Sequence, residues 1–499
     1  MPFGAFRLGR GREARTAQFD PAAAQFAWAL RLQPGHVEAH NCLGVLHLLQ
    51  NRLDRAAASF EQVLTLQPNR ADAACNLGIA LQGLNRPDDA IMQFEKALAL
   101  RPDYAEAAFN LGVAFERQGR AAEAITPLEL ALSIRPDYAE AGRTLSLLLN
   151  NLGIALHGEG KLEQAIAYLE RALTLQPGHA NMQLTLSLAH LAKGDLRAGW
   201  PLHEARWRTH HFDAGRRDFD VPRWDGSIGS GGTILVWAEQ GLGDTLQFCR
   251  YAPLVARRGW RVVVEVSPVL VRLMQSLEGV TVVPIGTTAP SKIDCHCPMM
   301  SLPLLFDTTL ETIPAAIPYL APAFADIARW RQILGAPGGL TVGLCWAGNP
   351  RREFGLPSTF DARRSMSLDR LAPLFAVDGV SFVSLQKEPR PGDDPARYAM
   401  LDPMGRVNDF ADTAAIIATL DLIIAVDTSV AHLAGALGRP IWLLNRFDTC
   451  WRWLRGRSDS PWYPTLRQFR QSDFGVWDDA VAQVAAELAA LAAGQRTLM

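Results

Sequence analysis

Neither sign of charge dominates this chain. It carries 49 Lys and Arg against 51 Asp and Glu, a net charge of −2. That excludes a general electrostatic attraction to nucleic acid or to anionic lipid. Cysteine is scarce: seven residues, odd in number and scattered, suit a reducing compartment rather than a disulfide framework. No apolar run approaches the roughly 18–20 residues that a membrane span needs. The basic opening MPFGAFRLGRGREAR lacks the apolar core of a signal peptide. A lone Cys295-His296-Cys297 cluster falls short of a four-ligand zinc site, and in a probable strand it reads as core, so no metal is expected. What remains is a protein expected to be soluble and cytoplasmic, long enough for roughly two to four domains.

What is present first is a period. Pro34, Pro68, Pro102 and Pro136 recur every 34 residues, and Pro177 follows after 41. Gly44, Gly78, Gly112 and Gly153 keep the same steps, each preceded by Leu (Leu43, Leu77, Leu111, Leu152). Ala56, Ala90, Ala124 and Ala165 fall twelve residues after each Gly, with Phe60, Phe94, Leu128 and Leu169 four further on. Small residues where helices cross, with Pro between units, form the helix–turn–helix pattern of tetratricopeptide repeats. The pattern predicts an α-solenoid over 19–207, about five repeats, with a curved binding surface. The seven-residue surplus near 143–150 is close to two helical turns and is expected to lengthen one helix by about 10 Å. Pro21–Leu32 reads as the second helix of a repeat whose first helix is missing, since Met1–Arg15 has no apolar period. Asn76, Asn110 and Asn151 share one repeat position, occupied by Cys42 in the first unit. Stacked, their amides would form a ladder able to bond an extended polypeptide; Asn simply tolerated there is the plainer reading.

Residues 208–232 are polar and Gly-rich, as a linker is. Beyond them strand-like and helical runs alternate, which is α/β patterning with parallel sheets. Thr233–Ala238, Arg261–Val266, Val280–Pro284 and Ile293–Cys297 would form one lobe (233–320). A proline-bearing stretch (321–338) reads as a hinge. Thr341–Trp346, Val380–Leu385, Leu422–Val426 and Ile441–Leu444 would form the second lobe (339–493), closed by an amphipathic helix over Val476–Ala492.

Polar clusters fall at the strand ends, where ligands of such sheets collect. After the first strand come Glu239, Gln240, Gly241, Gly243 and Asp244. Gly348, Asn349 and Pro350 follow Trp346, with Arg363 and Arg364 beyond. Gln386, Lys387 and Glu388 follow Leu385. Asp427, Thr428 and Ser429 follow Val426 and open a helix, whose dipole suits a phosphate or a sugar oxygen. His432 lies in its first turn. Each also has a structural reading: Asp244, Thr428 and Ser429 as helix caps, His432 as a surface residue, Lys387 and Arg364 as solvated cations. Trp451, Trp453, Trp462 and Tyr463 would either stack on a ligand or cover the lobe's apolar end.

GLGDT and DTSVAHLAGALGRP resemble the bacterial heptosyltransferases (glycosyltransferase family 9), which have the GT-B fold, over about 233–491. With the repeats in front, the layout is similar to that of protein O-linked N-acetylglucosamine transferases. The resemblance implies a fold class of α plus α/β, a tetratricopeptide solenoid followed by two Rossmann-like lobes. It implies transfer of a sugar from a nucleotide-sugar donor to a hydroxyl of a glycan or protein, inverting and metal-independent. Asp244 matches the family's base, although a helix start weakens a carboxylate as a base. Gln240, Gly241 and Gly243 would lie on the acceptor side. Gly348, Asn349, Arg364, Gln386, Lys387, Asp427, Thr428, Ser429 and His432 would hold the donor, which is a substrate; no cofactor is expected. The family usually has Gly where this chain has Ser429, and its first lobe is longer. The rival reading is a scaffold that keeps the fold without catalysis.

Overall fold

The computed structural model describes residues 12–210, 216–286, 292–335, 338–349 and 359–497. Its chain forms two compact units. One runs to Ala155 and takes in Ala167–Met182; the other joins Leu156–Ile166 to the chain from Gln183 onward.

The first unit is built of helices. They are α1 (Arg12–Leu32), α2 (Val37–Leu49), α3 (Leu53–Leu66), α4 (Ala71–Gly83) and α5 (Pro87–Leu100). Then come α6 (Ala105–Arg117), α7 (Ala121–Ile134), α8 (Ala139–Glu159) and α9 (Leu162–Leu175). The repeated glycines explain the pairing. A Cβ on Gly44 would fall 2.7 Å from the Phe60 ring, and one on Gly78 would fall 2.6 Å from Phe94. Gly112 repeats the contact against Leu128 at 2.6 Å. Only Gly lets the two helices of a repeat approach so closely. The surplus residues lie inside α8, which has 21 residues where α4 and α6 have 13. At 1.5 Å per residue that is about 12 Å of extra helix. Ser146, buried in α8, donates to Ala172 O at 2.8 Å.

The second unit opens with the end of α8, the start of α9, most of α10 (Ala180–Lys193), α11 (Leu196–His203) and a 3₁₀ turn, Glu204–Arg208. A parallel sheet follows, β1 (Thr233–Trp237), β2 (Arg261–Val266), β3 (Val280–Pro284) and β4 (Cys295–Pro298), in the order β3-β2-β1-β4. Its helices are α12 (Leu242–Phe248), α13 (Ala252–Arg257), α14 (Pro268–Met274) and α15 (Leu302–Leu305). After α16 (Phe324–Leu334) comes a second parallel sheet: β5 (Leu340–Cys345), β6 (Val380–Ser384), β7 (Leu422–Val426), β8 (Ile441–Asn445) and β9 (Leu466–Arg470). Its order is β6-β5-β7-β8-β9. Helices α17 (Thr359–Arg364), α18 (Ala372–Phe375), α19 (Phe410–Thr419), α20 (Ser429–Ala436) and α21 (Asp478–Ala492) complete it. In both sheets the chain starts at an inner strand and reverses direction beside it. The switch points, where ligands of α/β sheets settle, are therefore β1/β4 and β5/β7.

The structure corrects three sequence-based boundaries. The stretch 321–338, expected as a hinge, is mostly α16, whose Trp330 is 1% exposed and donates to Asp412 Oδ1 at 3.3 Å. The sheet has a further strand, β9, at its edge, where Arg467 and Arg470 are half-buried and Leu466 and Phe469 are buried. The solenoid's last residues up to 207 fold with the lobes, since Trp200 and Arg206 are buried there. One apolar core runs through both lobes and includes Trp200, Phe248, Trp451 and Trp462.

Candidate functional site

Helix α12 follows β1 and α20 follows β7, each beginning at a switch point, and the two beginnings touch. A Cβ on Gly243, in the first turn of α12, would lie 2.9 Å from the His432 ring and 3.7 Å from Ser429 Cα in α20. The tight neighbour is the His432 ring, which would have to shift to admit a Cβ, while Ser429 Cα lies at ordinary van der Waals distance. Asp244 is the N3 residue of α12, and its Oδ2 accepts from Gly241 N at 3.1 Å. Its other oxygen pairs across the lobes with Arg452, from the segment after β8. Asp244 is thus both a helix cap and one half of a bridge between lobes.

On the far side, α20 opens without a side-chain cap: Thr428 turns its hydroxyl back to Val426 O at 3.2 Å. The N–H groups of that first turn keep their dipole without a side-chain acceptor. Asp427 is 8% exposed, and its carbonyl accepts from Arg364 Nη1 at 3.0 Å. His432 is not a surface residue. It is 4% exposed, stacks on Trp453 with centroids 4.9 Å apart, and its Nδ1 meets Tyr463 Oη at 2.9 Å. Burial pushes its pKa down to about 4, with Arg452 acting the same way and Asp427 and Asp244 opposing. The imidazole is neutral at pH 7. Arg452 is held charged by Asp244, with Asp427 adding to it against the cost of burial, and its guanidinium lies over Trp451 at 4.3 Å. Asp244, Asp427, His432 and Arg452 therefore form one cluster of interacting charges drawn from both lobes.

Other sequence-derived residues serve the backbone. Gln386 Oε1 accepts from Trp346 N at 3.2 Å and Ala347 N at 2.9 Å, tying down the end of β5. Lys387 gives its ammonium to Met404 O at 2.9 Å and Val407 O at 2.7 Å. Gly348 N donates to Ser365 Oγ at 2.9 Å, and Asn349 reaches Glu388 at 3.4 Å. Arg364 also meets Asp361 at 3.1 Å, and Arg363 meets Asp448 at 3.0 Å. Gln240 is half-buried. Pro350 lies outside the described residues. In the repeat unit, Asn76 and Asn110 are half-buried and Asn151 is exposed; Asn110 Nδ2 lies 3.9 Å from Cys75 Sγ of the preceding repeat.

Three important residues were not among the candidate site residues, and only Glu239 of them was named, in the polar run after the first strand. Arg452 sits in CWRW, a run that draws the eye to its tryptophans. Glu239 lies at the carboxyl end of β1, with its side chain 1% exposed against a fully buried Arg206 at 3.0 Å. It also accepts from Met300 N at 3.0 Å, and burial pushes its pKa up to about 7 against the pull of Arg206. Arg206 is the third, and only its partner's place beside GLGDT hints at it. The tryptophans take the packing role: Trp451 meets Trp200 edge-on at 5.3 Å, and Trp462 is 1% exposed. His296 is likewise core, stacked on Phe219 at 4.1 Å and accepting from Trp237 at 3.2 Å. Among the described residues no group of three His, Cys, Asp or Glu is placed to hold a metal ion. A groove of about 710 Å³ lined by Trp442, Leu466, Arg467, Glu487 and Leu491 lies at the amino ends of β8 and β9, away from the cluster.

Models of the tetratricopeptide repeat match residues 6–71, 75–139 and 146–179. The N-terminal region is an array of tetratricopeptide repeats. The chain is 28% identical to Protein FlbA of Caulobacter vibrioides over 333 residues, covering 61% of this chain and 54% of that protein. It thus spans about half the length of this curated relative. Solved structures similar to it include MamA, 26% identical, covering 34% of this chain and 97% of that one with a TM-score of 0.29. YrrB, described as a TPR protein with an unusual peptide-binding site, is 19% identical over 38% of this chain and 95% of its own, with a TM-score of 0.32. The region after the repeats holds two parallel sheets flanked by helices. No helix among the described residues is long and apolar enough to cross a membrane.

Proposed function

We propose that the chain is a glycosyltransferase of GT-B type that moves a sugar from a nucleotide-sugar donor to a hydroxyl, with its repeats recruiting a polypeptide acceptor or partner. The observation that carries this reading is the meeting of α12 and α20 at two switch points, with Asp244, Asp427, His432 and Arg452 gathered around it. The acceptor oxygen bonds to the anomeric carbon as the bond to the diphosphate breaks, and the hydroxyl proton passes to Asp244. Inversion follows from a single displacement. Arg452 and the opening of α20 take the charge of the departing diphosphate, the part first expected of Lys387 and Arg364. Asp427 holds sugar hydroxyls, and neutral His432 presents a ring edge to the same space. For Asp244 to act as a base, Arg452 must turn from it towards the diphosphate. In the array, Asn76, Asn110 and Asn151 bond the polypeptide backbone.

The scaffold reading has its own support: Asp244 is already held by Gly241 and Arg452, and Lys387 by two carbonyls. Binding and hydrolysis of a panel of nucleotide sugars separate the two. Asp244→Asn should keep donor affinity within about twofold and lower turnover by about 10²–10⁴, the range for losing general base help. Arg452→Met should weaken donor binding about tenfold or more. Melting is followed alongside, because the cap at Asp244 is worth about 1 kcal/mol. Full turnover by Asp244→Asn, or no donor bound by the wild type, would sink the transferase. Replacing all three asparagines by Ala should abolish transfer to polypeptide and leave donor hydrolysis intact.

A further inference from the structure

A second concentration of positive charge lies at the carboxyl ends of β8 and β9, apart from the Asp244–Arg452 bridge. The register pairs Asn445, last in β8, with Arg470, last in β9, so Arg446 follows at the same sheet edge. Arg470 Nη2 donates to Leu454 O at 2.7 Å, which brings it beside Arg455. Arg455 lies over the Phe447 ring at 5.4 Å and donates to Gly158 O at 2.9 Å. Three arginines therefore gather at one strand edge. Asp448 meets Arg446 at 3.2 Å, but it is shared with Arg363 at 3.0 Å.

The electrostatics agree that positive charge is in excess. Burial lowers the pKa of Arg455, with Asp448 opposing. Arg470 is pushed down to about 10 by burial and then by the charge of Arg455, and its Nε is buried without a hydrogen-bond partner. His157, at the end of α8, is also lowered by burial and by Arg455. Guanidiniums rarely lose basicity; here burial lowers both Arg455 and Arg470, and the like charge of Arg455 lowers Arg470 further. The ligand that relieves this is an anion with several oxygens, able to take planar forks from more than one Arg. Arg455 and Arg470 are each only half-buried, which leaves them within reach of a small solute.

We propose that the edge formed by Arg446, Arg455 and Arg470 is a binding site for a phosphate-class anion, either free or carried on a nucleotide. The site stands independently of sugar transfer. Calorimetry on the full chain with inorganic pyrophosphate tests it, with nucleoside diphosphates as a second arm. Arg470→Met and Arg455→Met should each weaken pyrophosphate binding about tenfold or more, while Arg70→Gln, a surface arginine of the repeats, leaves it unchanged. Nucleoside diphosphates that bind tighter than pyrophosphate and compete with it would identify the nucleotide as the source; equal or weaker binding would identify the free anion. Equal pyrophosphate affinity in wild type, Arg470→Met and Arg455→Met, or an equal loss in Arg70→Gln, would overturn the site. If the variants fail to fold, phenylglyoxal labelling of wild-type protein decides: pyrophosphate should protect Arg455 and Arg470, and unchanged labelling would overturn the proposal. Loss of transferase activity bears on neither result, so the two readings fail separately.

Discussion

Arg70 in the repeats and Arg206 beside the lobes hold carboxylates over similar distances and do different work. Arg70 joins Glu38 at 2.6 Å and Asp72 at 2.7 Å at the surface, where Glu38 is 62% exposed. Arg206 joins Glu239 at 3.0 Å with both side chains closed off from water. The surface pair gains little over its hydrated ions. The buried pair gains little over an apolar replacement, yet breaking it strands a charge. Burial, rather than the pairing itself, decides what each arginine means to the fold.

The sharpest way to break that comparison is Arg206→Met. Leaving Glu239 without its cation should cost about 3–5 kcal/mol, read from urea unfolding. The sign of its pH dependence is fixed by Glu239. Its folded pKa, about 7, lies above the ordinary value of 4.5, so its contribution is present below pH 4.5 and lost as pH rises through 7. A neutral Glu239 needs no partner, so Arg206→Met should be tolerated better at pH 6 than at pH 8. Adding Glu239→Gln should recover most of the loss. Equal cost at both pH values would show that Arg206 matters by packing alone.

The next effect, about 3 kcal/mol, belongs to His432. Its folded pKa of about 4 lies below the ordinary 6.5, so its contribution is present above pH 6.5 and lost as pH falls towards 4. Glu239 runs the opposite way between 4.5 and 6.5, so the measurement is the difference between wild type and His432→Gln across that window. The variant should flatten the acid limb of the stability curve. A parallel pair of curves would mean that the imidazole is hydrated and its place between Trp453 and Tyr463 is wrong.

Arg70→Gln completes the series with the smallest effect, below about 1 kcal/mol and smaller still in high salt. A loss as large as that of Arg206→Met would erase the contrast.

How much of this was legible follows from the range of the interactions involved. The repeats were readable because each Gly meets a side chain sixteen residues further on, Gly44 with Phe60 and Gly78 with Phe94, and the spacing recurs. Strand cores such as Leu422–Val426 showed as β-branched runs. Asp244 and Asp427 stood out because polar residues after a strand are conspicuous. Arg452 did not, because its partner Asp244 lies 208 positions away. Lys387 had the charge for a diphosphate, but whether a lysine meets solvent or two carbonyls depends on a loop folding back from Met404–Val407.

The sequence by itself determined the helical array, the place of the lengthened helix, the alternation of strands with helices, and the polar residues that end the strands. All of these rest on local spacing, which a chain carries before it folds. Only the tertiary structure decided that 321–338 is largely helix, that His432 is buried and neutral, and that Glu239 rests on Arg206. It also set Arg452 against Asp244, turned Lys387 to two backbone carbonyls, and gathered Arg446, Arg455 and Arg470 at one edge. Those outcomes depend on which distant groups share a low-dielectric space, and the cost of desolvating a charge is set by its neighbours in three dimensions.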